Sequence, residues 1–381
     1  MITFLKVRNY KSLENVKLPI GPLQVLVGPN NSGKSNLFDV FQFLREMAEI
    51  GQQAVHSRGG FSQIVWGGDI KRTISFELHA LVENGKSKKE KIIYQLEMGG
   101  SRQYFYITKE RLAIFNGREK EKPLLVFPTT NDMVASITDI TGNKWKTSRM
   151  QDRLFIEQFQ DEARYGALAK FARELFSWSI HNFEPSSMRK TNAAKQDFYP
   201  RATGDNFASV LHSIQSEYRD RFGEIENLLK TALPEVRHLF TALTKEGQTY
   251  VSWEENAVPL PISSWAMSSG TLRLLGQLTA LFSPKPAALA CYEEPENYLH
   301  PGLLPLLAEV FKNAETKNQV LISTHSPYLL DHFSPKNLII VEKKDGGSQF
   351  KSVTKKKGLK EALRVLGLGE IWYSGELGGT P

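Results

Sequence analysis

The sequence predicts an α/β fold, a mixed sheet flanked by helices and organised around one phosphate-binding loop. Three observations carry this. Residues Gly28 to Ser35 read Gly-Pro-Asn-Asn-Ser-Gly-Lys-Ser, which has the spacing G-x-x-x-x-G-K-[ST]. The apolar run Leu23 to Val27 precedes it at strand length, and Leu37, Phe41, Leu44 and Met47 follow it at helical spacing. Later, the apolar runs Ala288–Tyr292 and Gln319–Ser323 alternate with helical segments, the pattern of parallel βαβ units.

Strand, loop and helix are the context this motif requires. The two glycines let the backbone bend so that successive N–H groups face inward and cradle phosphate oxygens. The helix adds its positive N-terminal end. Lys34 then reaches the β- and γ-phosphates, and the Ser35 hydroxyl binds Mg²⁺.

Composition bounds the class. The chain has 381 residues, 41% hydrophobic and 23% charged, enough to bury a sizeable core of a globular protein. One cysteine, Cys291, excludes an internal disulfide and fits a reducing compartment, so a cytoplasmic location is expected. No apolar run approaches a membrane span, and the N-terminus reads at once as a strand rather than a leader segment. The formal charge of +7 is compatible with nucleic acid but matters only if it clusters.

In chain order, residues 3–7 and 23–27 read as strands joined by a turn-rich link, and the first helix runs from about Ser35 to Ile50. Arg58 to Gln63 reads as a glycine-rich loop. A meander follows. Ile74, Phe76, Leu78 and Ala80 alternate with polar residues, as do Ile92, Tyr94, Leu96 and Met98, with Tyr104, Tyr106 and Thr108 in a third strand. Turns are expected at Glu83-Asn84-Gly85 and Asn116-Gly117. From about Gln151 to Ala232 the period turns helical, with Leu154, Phe159, Leu168, Phe171, Leu175, Leu211, Ile214, Ile225 and Leu228 on the apolar faces. A hairpin through Lys245-Glu246-Gly247 follows. No heptads are sustained, so no long coiled coil is expected. The expected organisation is residues 1–150 with the phosphate loop and an antiparallel β subdomain, 151–260 as a mainly helical insert, and 261–381 with the remaining motifs.

Those motifs are three. The strand Ala288–Tyr292 ends in Glu293-Glu294, a Walker B arrangement, since carboxylates at strand C-termini are where α/β sheets bind ligands. Glu293 is the candidate Mg²⁺ ligand, and Glu294 the group that orients or deprotonates the attacking water. The competing reading is an acidic surface turn. His325 closes the next strand and is a candidate sensor of the γ-phosphate. Ser268-Ser269-Gly270 before a helix offers hydroxyls and N–H groups to an anion, though such sequences are also ordinary helix caps.

The order phosphate loop, serine-glycine cap, paired carboxylates, histidine resembles the ATP-binding-cassette ATPases, within them the SMC/RecF-like branch. Asn9-Tyr10-Lys11-Ser12 resembles that branch's N-terminal "NFRS" element, and Met267 to Thr271 its signature motif. Glu293 to Pro301 resembles its Walker B and D-loop, and Thr324 to Pro327 its switch histidine. Gly204 to Ala208 and the tail Leu366 to Pro381 resemble stand-alone prokaryotic ATPases of the OLD/RecF-like group linked to phage defence. The resemblance implies a P-loop NTPase with an ABC-type head, ATP and Mg²⁺ as cofactors, and two ATPs sandwiched in a head-to-head homodimer. It implies nucleotide contacts at Lys11, Asn30, Asn31, Ser32, Gly33, Lys34, Ser35, Asn36, Ser268, Ser269 and Gly270. Glu294 and His325 are then catalytic, and Ser35 and Glu293 hold the metal, with Gln63 as candidate glutamine-loop ligand. The sequence departs from the branch in three places, one of them Lys11, where an arginine is commoner. Glu293 stands where Asp is usual, and Ser269 where Gly is common.

Two function classes compete. The first is an ATP-gated regulator with a separate effector such as a nuclease, since the stretch after His325 is too short for a fused ordinary domain. The second is a repair or recombination ATPase that binds DNA through Lys86-Ser87-Lys88-Lys89 and Lys355-Lys356-Lys357. A small-molecule kinase needs neither signature nor switch histidine.

Overall fold

The computed structural model describes residues 1–84, 88–102, 104–115, 121–127, 134–148, 152–315, 318–354, 356 and 358–379. The expected turn residues Gly85 and Asn116-Gly117 lie outside the described residues, as do Lys86, Ser87, Lys355 and Lys357 of the basic clusters. The chain divides into two units. One comprises Met1–Trp178, Ile339–Val353 and Gly378–Pro381, the other Ser179–Leu338 and Thr354–Leu377.

The first unit holds an eight-stranded antiparallel sheet. Its strands, from one edge, are Leu13–Pro19, Ile2–Tyr10, Ile74–Asn84, Lys88–Gly100, Phe105–Phe115, Glu121–Phe127, Val134–Thr138 and Lys144–Ser148. The alternation seen in the sequence sets its register. Phe76 pairs with Leu96, Leu78 with Tyr94 and Ala80 with Ile92, and all six are buried. The third strand of the meander turns its tyrosines outward. Tyr104 and Tyr106 are exposed, while Phe105 and Ile107 enter the core. Leu13–Pro19, within the stretch expected to link two strands, is a full strand because Leu13, Val16 and Leu18 supply a buried face.

The same unit holds the phosphate-loop strand Leu23–Val27, every residue of which is buried, as expected of a strand covered on both faces. It neighbours Leu338–Lys344, which pairs antiparallel with Gly347–Ser352. The helix Lys34–Glu49 buries Leu37, Phe41, Leu44 and Met47 along one stripe.

The second unit carries three parallel strands in the order Ser179–His181, Leu289–Glu293, Gln319–Thr324. The helices Ser269–Leu281 and Leu304–Ala314 connect and follow them in the alternating pattern read from the sequence. A small sheet of Asn192–Ala193, Gln248–Glu255, Val236–Leu243 and Ile262–Ser263 stands with the helices Phe207–Glu217 and Arg219–Ala232. In the latter helix the buried face runs through Phe222, Ile225 and Leu229 rather than Leu228, a shift of one residue. Among the described residues no helix is long and apolar enough to cross a membrane.

Candidate nucleotide-binding and hydrolysis site

The phosphate loop is shaped by two backbone requirements. Gly33 has φ 109°, the left-handed region that side chains resist, and caps the helix that begins at Lys34. A Cβ on Gly33 would also lie 2.0 Å from Ser348 Oγ. A Cβ on Gly28 would lie 2.0 Å from the Val341 carbonyl oxygen, so the neighbouring strand touches the loop through its backbone. Gly28→Ala is therefore expected to cost about 1–3 kcal/mol of stability by overpacking. Gly223→Ala has open space within a helix and is expected to cost nothing or to stabilise by up to about 1 kcal/mol. Thermal denaturation of the two variants checks the contrast.

A hydroxyl network braces the loop. Ser348 Oγ donates to the Ser32 carbonyl at 2.6 Å and shares a hydrogen bond with Ser12 Oγ at 2.7 Å. Asn36 Nδ2 donates to the same Ser12 Oγ at 2.7 Å. Ser12 follows Lys11 in the N-terminal element, so that element helps to fix the phosphate loop. Lys34 Nζ donates to the Gly28 and Pro29 carbonyls at 2.8 and 3.0 Å, and its side chain is buried in the loop. Ser32 Oγ is buried and, among the described residues, has no hydrogen-bond partner. Such an orphaned hydroxyl in the loop before a helix N-terminus fits a phosphate oxygen. Asn30, Asn31 and Ser35 are exposed, with Asn31 at φ 61°.

Lys11 is placed differently from a free phosphate contact. Its ammonium pairs with Asp39 at 2.6 Å, where the Arg58 guanidinium and the Tyr10 hydroxyl also converge. Burial opposes ionisation of Asp39, but the Arg58 hydrogen bonds and charge, with those of Lys11, outweigh it and hold the carboxyl below its usual range. Burial also pushes the Tyr10 hydroxyl well above the ordinary phenol, with the Asp39 charge acting the same way. Gln63 lies exposed in the short helix Phe61–Ile64, where a loop was expected.

In the second unit, the parallel ladder brings Glu293, Glu294 and His325 to one strand end. Glu293 pairs in register with Ser323, and the Glu294 N–H donates to the Ser323 carbonyl at 2.8 Å. Glu294 sits at φ 43°, a conformation that costs about 1–3 kcal/mol and recurs at functional sites. Asn297 Nδ2 holds its Oε2 at 2.6 Å, and His325 Nε2 stands 3.7 Å from its Oε1. Asn182 Nδ2 donates to Glu293 Oε2 at 3.4 Å.

The serine-glycine cap is tied to this strand end. Ser268 caps the helix Ser269–Leu281 by accepting the Thr271 N–H at 3.0 Å, and is itself exposed. A Cβ on Gly270 would lie 2.4 Å from the Tyr298 carbonyl, which explains the glycine. Arg189 Nη2 holds the Met267 carbonyl and Ser269 Oγ at 3.0 and 3.3 Å.

Arg273, which sequence reasoning did not single out, is buried. It donates to the carbonyls of Phe183, Glu293 and Glu294 at 2.7, 3.1 and 2.8 Å, and burial lowers its pKa. Gln277 Nε2 adds the Pro295 carbonyl at 2.6 Å. An Arg and a Gln four residues apart on one helix face were the available signal. Glu296 was missed also. Burial raises its pKa, the Glu294 charge acts in the same direction, and the Thr324 hydroxyl opposes both. The tail packs on the helix after His325. A Cβ on Gly369 would lie 1.9 Å from the Pro327 carbonyl, Asp331 accepts the Gly369 N–H at 2.7 Å, and Trp372 is fully buried.

Comparison with known proteins places the fold. Residues 23–331 match the family described as "AAA domain, putative AbiEii toxin, Type IV TA system". A curated relative, the OLD nuclease of Thermus scotoductus, is 46% identical over 37 residues, 10% of this chain and 7% of that protein. The match thus spans a small part of that relative's length.

Among solved structures, the SMC head bound to the C-winged helix domain of ScpA aligns with TM-score 0.57 and 15% identity. The alignment covers 94% of this chain and 99% of that one. The SMC head with an extended coiled coil, bound to the C-terminal domain of ScpA from Pyrococcus furiosus, aligns with TM-score 0.50 and 14% identity, over 95% and 99% of the two chains. At such identities the likeness is one of fold, and that fold is the mixed α/β P-loop head expected from the motif order. The chain belongs to the AAA-domain family whose model spans residues 23–331, and it is an ATPase with the SMC-head fold.

Proposed function

We propose that the chain is an ATP-driven switch. Two copies clamp two ATPs head to head, hydrolysis separates them, and the change of state is passed to a separate effector protein in defence against phage or foreign DNA. The observation that carries the dimer is the serine cap. Ser268 is exposed at the start of a full-length helix, and Gly270 is wedged against the backbone that follows the carboxylates, so the cap and the hydrolytic strand end move as one piece. An anion held by the phosphate loop of one copy and the cap of another supplies the differential affinity a switch requires.

The chain's own groups divide the work. Lys34 and the loop N–H groups hold the β- and γ-phosphates, and Ser32 Oγ finds its partner there. Glu294, oriented by Asn297, takes the proton of the attacking water. His325 donates to the γ-phosphate and stands against Glu294. Ser35 and Glu293 offer the oxygen donors that Mg²⁺ prefers and would hold it with Gln63, and bound there Mg²⁺ would neutralise charge on the β- and γ-phosphates. The link to defence and to a nuclease-type effector draws support from the family's toxin description and the short likeness to an OLD nuclease.

Light scattering tests the dimer. The Glu294→Gln chain, which should bind ATP without turnover, is expected to double its molar mass when ATP and Mg²⁺ are added. A monomer at saturating ATP would overturn the reading.

A further inference from the structure

The parallel pairing between Leu289–Glu293 and Gln319–Thr324 runs out at the pair Glu293–Ser323. The residues that the proposed function needs, Glu294 and His325, both lie beyond it. On the Glu294 side the backbone stays held past this pair, its N–H on the Ser323 carbonyl and its own carbonyl on Arg273. On the His325 side a carboxylate side chain reaches the backbone. Glu296 folds back so that Oε1 accepts the Thr324 hydroxyl and, at 3.3 Å, the His325 N–H. Thr324 Oγ1 in turn accepts the Ser326 N–H at 2.9 Å, and Ser326 Oγ accepts the Leu329 N–H at 3.2 Å, capping the next helix. One carboxyl thus begins a chain of hydrogen bonds through every residue from Thr324 to Ser326. Its second oxygen, Oε2, is buried and among the described residues has no hydrogen-bond partner. The site tolerates an unsatisfied buried oxygen to keep the first in place.

We propose that Glu296 is the positioning residue for His325, fixing the Thr324 hydroxyl and the His325 N–H past the last ladder pair and so setting the imidazole against Glu294. The proposal rests on the hydrolytic reading of Glu294 and His325. Glu296 acts through the loop it holds, and the carboxyl at 296 is required for its acceptor oxygen rather than its charge.

The test is a double-mutant cycle on the full chain, read as kcat and KM for ATP. Glu296→Gln keeps an acceptor in place and is expected to stay within about twofold of the wild type. Glu296→Leu removes it and is expected to lower kcat by on the order of ten- to a hundredfold at unchanged KM, the cost of misplacing a catalytic group. In a His325→Ala background the same Glu296→Leu change is expected to cost nothing further, because there is no imidazole left to position. Should Glu296→Leu fail to fold, Thr324→Val removes the hydroxyl donor while keeping the side chain's shape, and the same cycle is run with it. A full, multiplicative cost in the His325→Ala background overturns the proposal, as does Glu296→Gln falling as far as Glu296→Leu. A wild-type rate for His325→Ala overturns the hydrolytic reading beneath it instead, so the two failures are told apart.

Discussion

Lys34→Ala is expected to abolish ATP binding, with an affinity loss of about two orders of magnitude or more. Two consequences add. The loop loses the one cation that it buries, and truncating one partner of a desolvated charge pair costs about 2–5 kcal/mol. The Gly28 and Pro29 carbonyls also lose the ammonium that bridges them, so the loop is less well preorganised for phosphate. Equilibrium binding of a fluorescent ATP analogue gives the measurement, with a thermal melt to show that the fold survives. Wild-type affinity in a folded variant would mean that backbone N–H groups alone hold the phosphates.

Glu294→Gln is expected to keep binding and to lose turnover by about 10²- to 10⁴-fold, the usual worth of a positioned general base. The substitution is nearly isosteric. The amide can still occupy the strained backbone at φ 43° and still meet Asn297, so loss of rate without loss of fold isolates the proton-accepting role. Phosphate release under single-turnover conditions is the assay. A wild-type rate would assign the water to another group, and Glu293 is the other carboxylate that ends this strand.

Much of this arrangement is local and was readable. The strand Leu23–Val27, the loop and the helix after it follow from an apolar run, glycine spacing and a helical stripe, all within a few turns of chain. The strand ends carrying Glu293 and His325 follow in the same way. What was not readable depends on residues far apart in sequence. Ser348 meets Ser12 across 336 positions, and no local pattern marks a serine on an edge hairpin as the brace of a phosphate loop. Lys11 likewise pairs with Asp39 on the following helix, a partner that no local pattern marks.

Gly369 of the tail carried no readable chemistry because its reason is a backbone contact, on the Pro327 carbonyl. Glu296 was hidden by its neighbours. In a run of three glutamates within four positions, only the folded strand end shows which one turns inward. The error of phase between Leu228 and Leu229 has a simpler cause, since adjacent leucines fit a 3.6-residue period almost equally well.

The central claim is that each ATP is completed by the serine cap of another copy, and mixing two inactive chains tests it most directly. Lys34→Ala cannot hold phosphate, and Ser268→Arg places a bulky side chain at the exposed cap while leaving its own phosphate loop intact. In a mixed dimer, one site combines the intact loop of one chain with the intact cap of the other, and the second site has lost both. ATP hydrolysis is measured for each chain alone and for the equimolar mixture. Activity is expected to appear on mixing, to rise with total protein concentration, and to be absent from either chain alone. A mixture as inactive as its components, or a Ser268→Arg chain that hydrolyses ATP at the wild-type rate while sizing as a monomer in ATP, would contradict it.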